Sequence, residues 1–146
     1  MGSVSAGESK EFTDGKFVPA IEDIKTDKSK VNKIVMCTGK ISHEIAAARD
    51  AANLENIAII RLERLYPLPI KEIKSILSGY SNDAKIIWAQ DEPANQGAYP
   101  FVMTELAPQL GRVVTRASRP ASSAPAVGSH TKHDQEQSDL IKSIIE

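Results

Sequence analysis

Short β-branched runs alternate with segments of helical spacing along most of the chain, and this alternation constrains the fold more than any other feature. Apolar residues recur every three or four positions in the segments between the runs, as expected for helices with one buried face. Strands that alternate with helices pair in parallel through right-handed crossovers. The sequence therefore predicts an α/β fold, a three-layer α/β/α sandwich. The runs that predict its strands occupy residues 33–38, 56–62, 85–90 and 112–116.

Prolines and glycines set the expected element boundaries. Pro67 and Pro69 should open the second helix, because the first turn of a helix tolerates a missing N–H, and Gly79 should close it. Pro108 is expected to end the third helix. The Ser/Ala/Pro-rich residues 117–129 are expected to form a loop before a closing helix. That helix carries a stripe of Gln137, Leu140, Ile141, Ile144 and Ile145.

Composition narrows the possible classes of protein. A chain of 146 residues fits one domain, and a net charge of -1 gives no basic surface for nucleic acid. No apolar run approaches the roughly 20 residues that span a membrane. The single cysteine, Cys37, excludes an internal disulfide and lies in an apolar run where it should be inert. Residues 1–15 are expected to be a cloning remnant and flexible lead-in, and residues 16–146 a domain cut from a longer protein.

Several polar segments should meet at one edge of the sheet. Ligands of open α/β sheets gather at the carboxyl ends of the strands. Residues 38–40, the sequence Thr-Gly-Lys, lack the earlier glycine and the Ser or Thr of a phosphate-binding loop, which favours a plain strand-to-helix turn. The convergence predicts an important surface there. Its expected contributors are residues 38–40, 61–66, 91–93 and 116–119.

The sequence from residue 91 to residue 97, DEPANQG, is the first candidate for a site. Asp91 and Glu92 could form a metal site or an acid–base pair, but neighbours on a strand point to opposite faces. We therefore favour an interface role for Glu92, accepting backbone or arginine donors. Asn95, Gln96 and Gly97 precede a helix start, where they could either bind an anion or simply cap the turn.

The segment after the last strand is the second candidate. Guanidinium groups close to hydroxyls suit phosphate or carboxylate recognition, although surface ion pairs would explain them equally well. His130 and His133 have a spacing that places both on one helical face, but a metal there lacks a third nitrogen or sulfur ligand. The other residues of this candidate are Arg116, Arg119, Ser122, Ser123 and Lys132.

Six sequence blocks carry a family resemblance. Together they resemble the C-terminal domain of the thiamin-diphosphate-dependent first component of 2-oxoglutarate dehydrogenase. That resemblance implies a transketolase C-terminal-like domain with a mixed five-stranded sheet, mostly parallel, whose first strand is antiparallel and lies at residues 17–21. The blocks, in chain order, are residues 35–40, 57–67, 91–99, 116–120, 128–133 and 136–137.

The resemblance also implies an activity for the parent enzyme. That enzyme decarboxylates 2-oxoglutarate on thiamin diphosphate with magnesium and passes the succinyl group to the lipoyl arm of a second component. The Gly-Asp-Gly cofactor signature is absent here. We therefore expect no catalytic, cofactor-binding or metal residue in this chain, which alone should be inactive. Its expected partners are the preceding thiamin-binding domains and a second subunit.

Regulation and location follow from the same resemblance. Some members of the family bind AMP or acetyl-CoA near this domain, and the arginine–serine segment could contribute to such a site. The expected location is the cytoplasm, or the mitochondrial matrix in a eukaryote. Two alternatives stay open: a free-standing nucleotide- or CoA-binding regulatory module, and the equivalent domain of another thiamin enzyme such as pyruvate dehydrogenase or transketolase.

Overall fold

One five-stranded sheet organises the molecule. The computed structural model describes residues 16–23, 25, 27–123 and 128–146, so the expected lead-in at residues 1–15 lies outside the described residues. The strands lie in the order β1-β3-β2-β4-β5. β1 runs antiparallel to β3, and the other pairs are parallel, which confirms the predicted mixed sheet. The strands are β1 Ala20–Glu22, β2 Lys33–Cys37, β3 Ile57–Leu62, β4 Lys85–Pro93 and β5 Val114–Arg119.

Helices cover both faces of the sheet. On one face, α1 and α5 pack over a cluster that includes Val35 and Ala89. On the other face, α2 and the helical segment after β4 cover a cluster that includes Met36 and Trp88. The two clusters alternate along each strand because successive side chains point to opposite faces. The helices are α1 Ile41–Ala51, α2 Ile70–Leu77, α3 Tyr99–Phe101, α4 Ala107–Leu110 and α5 His130–Ile145.

The prediction that Pro108 ends the third helix is wrong. A π-helical turn, Val102–Leu106, joins α3 to α4, and the helical path continues to Leu110. Proline lacks an N–H and its ring crowds the preceding turn, which a wider π turn can accommodate. The helix instead ends at Gly111, whose φ of 61° places it in the left-handed region. No helix in the described ranges is long and apolar enough to cross a membrane.

Two edge strands begin later than predicted. β1 starts at Ala20 rather than residue 17, because Pro19 has no N–H to donate to a ladder. β5 starts at Val114 and continues through Arg119, into the segment expected to be loop. The longer β4 explains this difference, since its last residue, Pro93, pairs with Arg119 beyond an irregularity in the ladder. The helix before Gly79 ends as expected, at Leu77.

Candidate interface at the carboxyl edge of the sheet

A buried glutamine shapes the turn that follows β4. The side-chain Oε1 of Gln90 accepts hydrogen bonds from Trp88 Nε1 at 3.1 Å and from the Tyr99 backbone N–H at 2.9 Å. Its Nε2 donates to the carbonyls of Pro93 at 3.0 Å and Gln96 at 2.7 Å. One amide therefore joins the strand, the turn and the start of α3. Because Gln90 already takes the first N–H of α3, that N–H is not available to an anion.

Gly97 allows the turn to close against the strand. Its φ is 68°, a conformation that residues with a Cβ rarely adopt. A Cβ there would lie 2.9 Å from Glu92 Cβ and 3.1 Å from Gln90 Nε2. The Glu92 side chain is exposed, and no side chain in the described part of the chain pairs with it. The turn thus leaves an exposed carboxylate, which lies against Gly97, on a constrained backbone.

The Asn95 side chain does not cap α3; it bonds to the backbone of Ser122 instead. Its Nδ2 donates to the Ser122 carbonyl at 2.9 Å, and its Oδ1 accepts from the Ser122 N–H at 3.0 Å. Gln96 Nε2 donates to the same carbonyl at 3.1 Å. The two amides therefore tie the turn to the segment after β5, a role that the sequence did not indicate. Ser123 follows Ser122 and is exposed.

Asp91 points to the opposite face from Glu92, as predicted. Its Oδ1 accepts from Gln137 Nε2 at 2.7 Å, and the same nitrogen donates to Glu44 Oε2 at 2.8 Å. Gln137 thus connects β4 with α1 and α5. We predicted Gln137 within the apolar stripe of α5, and the structure makes it a polar bridge instead. Its Oε1 is buried, and no donor within the described residues reaches it.

The two arginines of β5 have different roles. Arg119 is buried, donates from Nε to the Asp91 carbonyl at 2.6 Å and lies 3.8 Å from Glu136 through Nη1. It anchors the end of the sheet internally. Arg116 is exposed, and its guanidinium lies 5.2 Å from the centre of the Tyr99 ring. Only Arg116 of this pair presents its charge to solvent.

The remaining predicted residues lie on the first turns of α5. Lys132 Nζ is 3.9 Å from Glu136, a pair of the i,i+4 type in which Lys132 is exposed and Glu136 is half-buried. His130 is exposed and His133 half-buried. Nowhere in residues 16–23, 25, 27–123 and 128–146 do three or more His, Cys, Asp or Glu side chains form a group that could hold a metal ion.

The carboxyl ends of β2 and β3 complete the edge. Arg61 pairs with Glu63, and its Nη1 lies 3.1 Å from His43 Nε2. Because a guanidinium only donates, this geometry requires the His43 nitrogen to accept. Burial raises the pKa of Cys37 to about 12, so the thiol stays protonated and unreactive at neutral pH, as the sequence predicted. Gly39 turns the chain into α1 with a φ of 74°.

Gln90 and Gln137 are the organising residues that the sequence did not reveal. Gln90 shares the face of Trp88 by the two-residue period of a strand, and that position was the available signal of burial. A polar residue on a buried face must find hydrogen-bond partners. Its partners, however, belong to a turn whose path depends on the fold.

Comparison with known proteins identifies the family. Residues 6–145 match the family model described as 2-oxoglutarate dehydrogenase C-terminal. A curated relative, the 2-oxoglutarate dehydrogenase E1 component of Cupriavidus necator, is 39% identical over 131 residues. That alignment covers 88% of this chain but 14% of the relative, so the chain spans a small part of the relative's length. The match favours the 2-oxoglutarate dehydrogenase interpretation over pyruvate dehydrogenase, transketolase or a free-standing module. The chain belongs to the 2-oxoglutarate dehydrogenase C-terminal family.

Proposed function

We propose that this chain serves as the C-terminal assembly domain of a 2-oxoglutarate dehydrogenase E1 component. The parent enzyme would decarboxylate 2-oxoglutarate on thiamin diphosphate and transfer the succinyl group to the lipoyl arm of the second component. The observation that carries the proposal is the family match over residues 6–145. The bacterial relative favours a cytoplasmic location. The expected partners are the thiamin-binding domains of the same polypeptide and a second subunit.

We expect thiamin diphosphate and magnesium to bind outside this chain. The described ranges bring together no metal-binding group of His, Cys, Asp and Glu. Polar side chains at the carboxyl edge, such as Gln90 and Arg119, are already bonded to neighbouring groups. The cofactor would bind to the other domains of the parent enzyme, and we expect this chain alone to be inactive.

The chain's own contribution would be a surface of fixed shape. Gln90 and Gly97 set the path of the turn, and Ser122 is tied to it through Asn95. The turn thus presents the Glu92 carboxylate, while Tyr99 supports the exposed Arg116 guanidinium. A backbone of fixed shape that carries charges of both signs suits the polar rim of an interface, because little backbone entropy is lost on association.

A complementation assay tests the assembly role. The 2-oxoglutarate-dependent reduction of an artificial electron acceptor would be measured for this chain, for the parent polypeptide lacking it, and for both mixed. We expect activity only when the domain is present with the remainder, because the remainder would hold the cofactor. Full activity of the parent without the domain would contradict the assembly role. Turnover by this chain alone, supplied with thiamin diphosphate and magnesium, would contradict its expected inactivity.

A regulatory phosphate site is a second candidate, favoured by the exposed guanidinium of Arg116. AMP or acetyl-CoA would be the ligand, with Lys132 as a further cation. Calorimetry with each nucleotide tests it, and Arg116→Ala should weaken binding if the site exists. The matched control is Arg112→Ala, since Arg112 is already bonded to the Asn82 and Ala84 carbonyls. No heat from either ligand at millimolar concentration would exclude the site in this chain.

A further inference from the structure

Two exposed aromatic side chains lie on the two segments that meet at the carboxyl end of β3, Phe17 before β1 and Tyr66 in the loop after β3. Tyr66 is 84% exposed and Phe17 is 65% exposed, whereas Trp88 and Tyr80 are buried in the core. The Pro19 carbonyl accepts hydrogen bonds from the N–H groups of residues 63 and 64, which brings the start of β1 beside this loop. The exposed Val18 adds to the same region. We call Phe17, Val18 and Tyr66 the aromatic patch.

The loop that carries Tyr66 is held in place on both sides of it. Leu65 and Leu68 pack against the core cluster beneath α2. Arg64 Nε donates to the Pro67 carbonyl at 2.9 Å across the tip of the loop. The core contacts and this hydrogen bond fix the flanking residues while the Tyr66 ring remains in solvent. An aromatic side chain presented on an ordered loop is typical of the anchor of a protein–protein contact.

We propose that the aromatic patch docks against another folded domain of the same polypeptide. This inference rests on the proposed function, which makes the chain one domain of a longer enzyme. The relative's length favours that occupant, because the matched segment is 14% of the relative and most of such a polypeptide lies outside this chain. The complementary surface would be an apolar pocket with an acceptor for the Tyr66 hydroxyl. The polar residues flanking the patch, Lys16 and Glu63, suit its rim.

Cysteine labelling tests the proposal. Tyr66→Cys would be placed in this chain and in the parent polypeptide, and the rate of maleimide modification at position 66 would be followed by peptide mass spectrometry. Native Cys37 is buried and should contribute little in the folded chain. We expect modification in the parent at least about tenfold slower than in this chain, because the thiol would react only when the domains separate.

Val113→Cys is the matched control. Val113 is 83% exposed and precedes β5, at the opposite edge of the sheet from the aromatic patch. It should react at similar rates in both proteins. Equal rates for Tyr66→Cys in the two proteins would overturn the proposal, as would equal protection of both cysteines. Protection already present in this chain, rising with its concentration, would assign the patch to a second copy and also overturn the proposal.

Two further measurements separate a failure of the docking proposal from misfolding of the variant and from a failure of the proposed function. Hydroxyl-radical footprinting of native Tyr66 in both unmodified proteins gives the same comparison if Tyr66→Cys does not fold. Protection there supports docking, and equal oxidation contradicts it. The complementation assay decides the proposed function separately. A parent that oxidises 2-oxoglutarate but leaves Tyr66 exposed would refute the docking surface alone.

Discussion

The carboxyl ends of β4 and β3 lie at the same edge of the sheet but are built in opposite ways. At the end of β4, polar side chains such as that of Gln90 turn inward and bond to the chain's own backbone. Beyond β3, the apolar ring of Tyr66 turns outward, 84% exposed. Burying a polar side chain costs free energy unless the side chain is hydrogen-bonded. The hydrogen bonds of Gln90 therefore hold the turn after β4 in one conformation. Exposed apolarity gains free energy only when another surface covers it.

The comparison therefore separates residues that stabilise this chain from residues that serve contacts. The first group should change the free energy of unfolding when mutated, and the second should not. Four substitutions, three of them with a matched comparison variant, test that separation by urea unfolding of the isolated chain.

The largest effect is expected for Gln90→Ala. The change leaves the Trp88 indole N–H and the Tyr99 N–H without their buried acceptor, and it removes the donor to three backbone carbonyls. We expect a loss of about 3 kcal/mol in the free energy of unfolding. Gln109→Ala is the control, because Gln109 is exposed and its one bond is to the helix carbonyl of Glu105. Equal midpoints for the two variants would contradict the role assigned to Gln90.

Gly97→Ala should follow, with a loss of about 2–3 kcal/mol from strained φ and the contact with Glu92. Gly39→Ala is a matched control, since Gly39 also has a positive φ but a Cβ there meets nothing within 4 Å. It should cost only about 1–2 kcal/mol. If both glycines cost the same, the close packing of the turn against β4 contributes nothing.

Arg119→Ala should cost about 2 kcal/mol, because the Asp91 carbonyl and Glu136 lose a buried charged partner. Arg116→Ala should cost about 0.5 kcal/mol, the size of an exposed cation–π contact. The two variants compare an exposed and a buried arginine of the same strand. A larger loss for Arg116→Ala would mean that the exposed arginine, not the buried one, anchors β5.

Tyr66→Ser should have the smallest effect on this chain, within about 0.5 kcal/mol of the unmodified protein. The ring is 84% exposed, so it contributes little buried surface to the free energy of folding. A loss of stability as large as that of Gln90→Ala would contradict the distinction between the carboxyl ends of β3 and β4. The aromatic patch would then be part of the folded domain rather than a contact surface.

Much of the architecture was predictable because it depends on local pattern. The alternation of β-branched runs with helical spacing gave the layers, and the resemblance gave the antiparallel first strand. Opposite faces for Asp91 and Glu92 followed from the geometry of a strand. Pro108 misled the prediction, since the local rule against proline in helices does not anticipate a π turn. β5 was misplaced because its last residues become strand only by pairing with β4.

The sequence by itself determined the class of fold, the family and the convergence of polar segments at one edge, since periodicity and ordered motifs are properties of neighbours along the chain. Tertiary structure alone decided which partners the buried polar residues bond. Gln90 finds its acceptors and donors up to nine residues away, and Gln137 bridges to Asp91 46 residues away. Whether a side chain becomes an anchor or an exposed contact depends on partners that only the folded chain brings together.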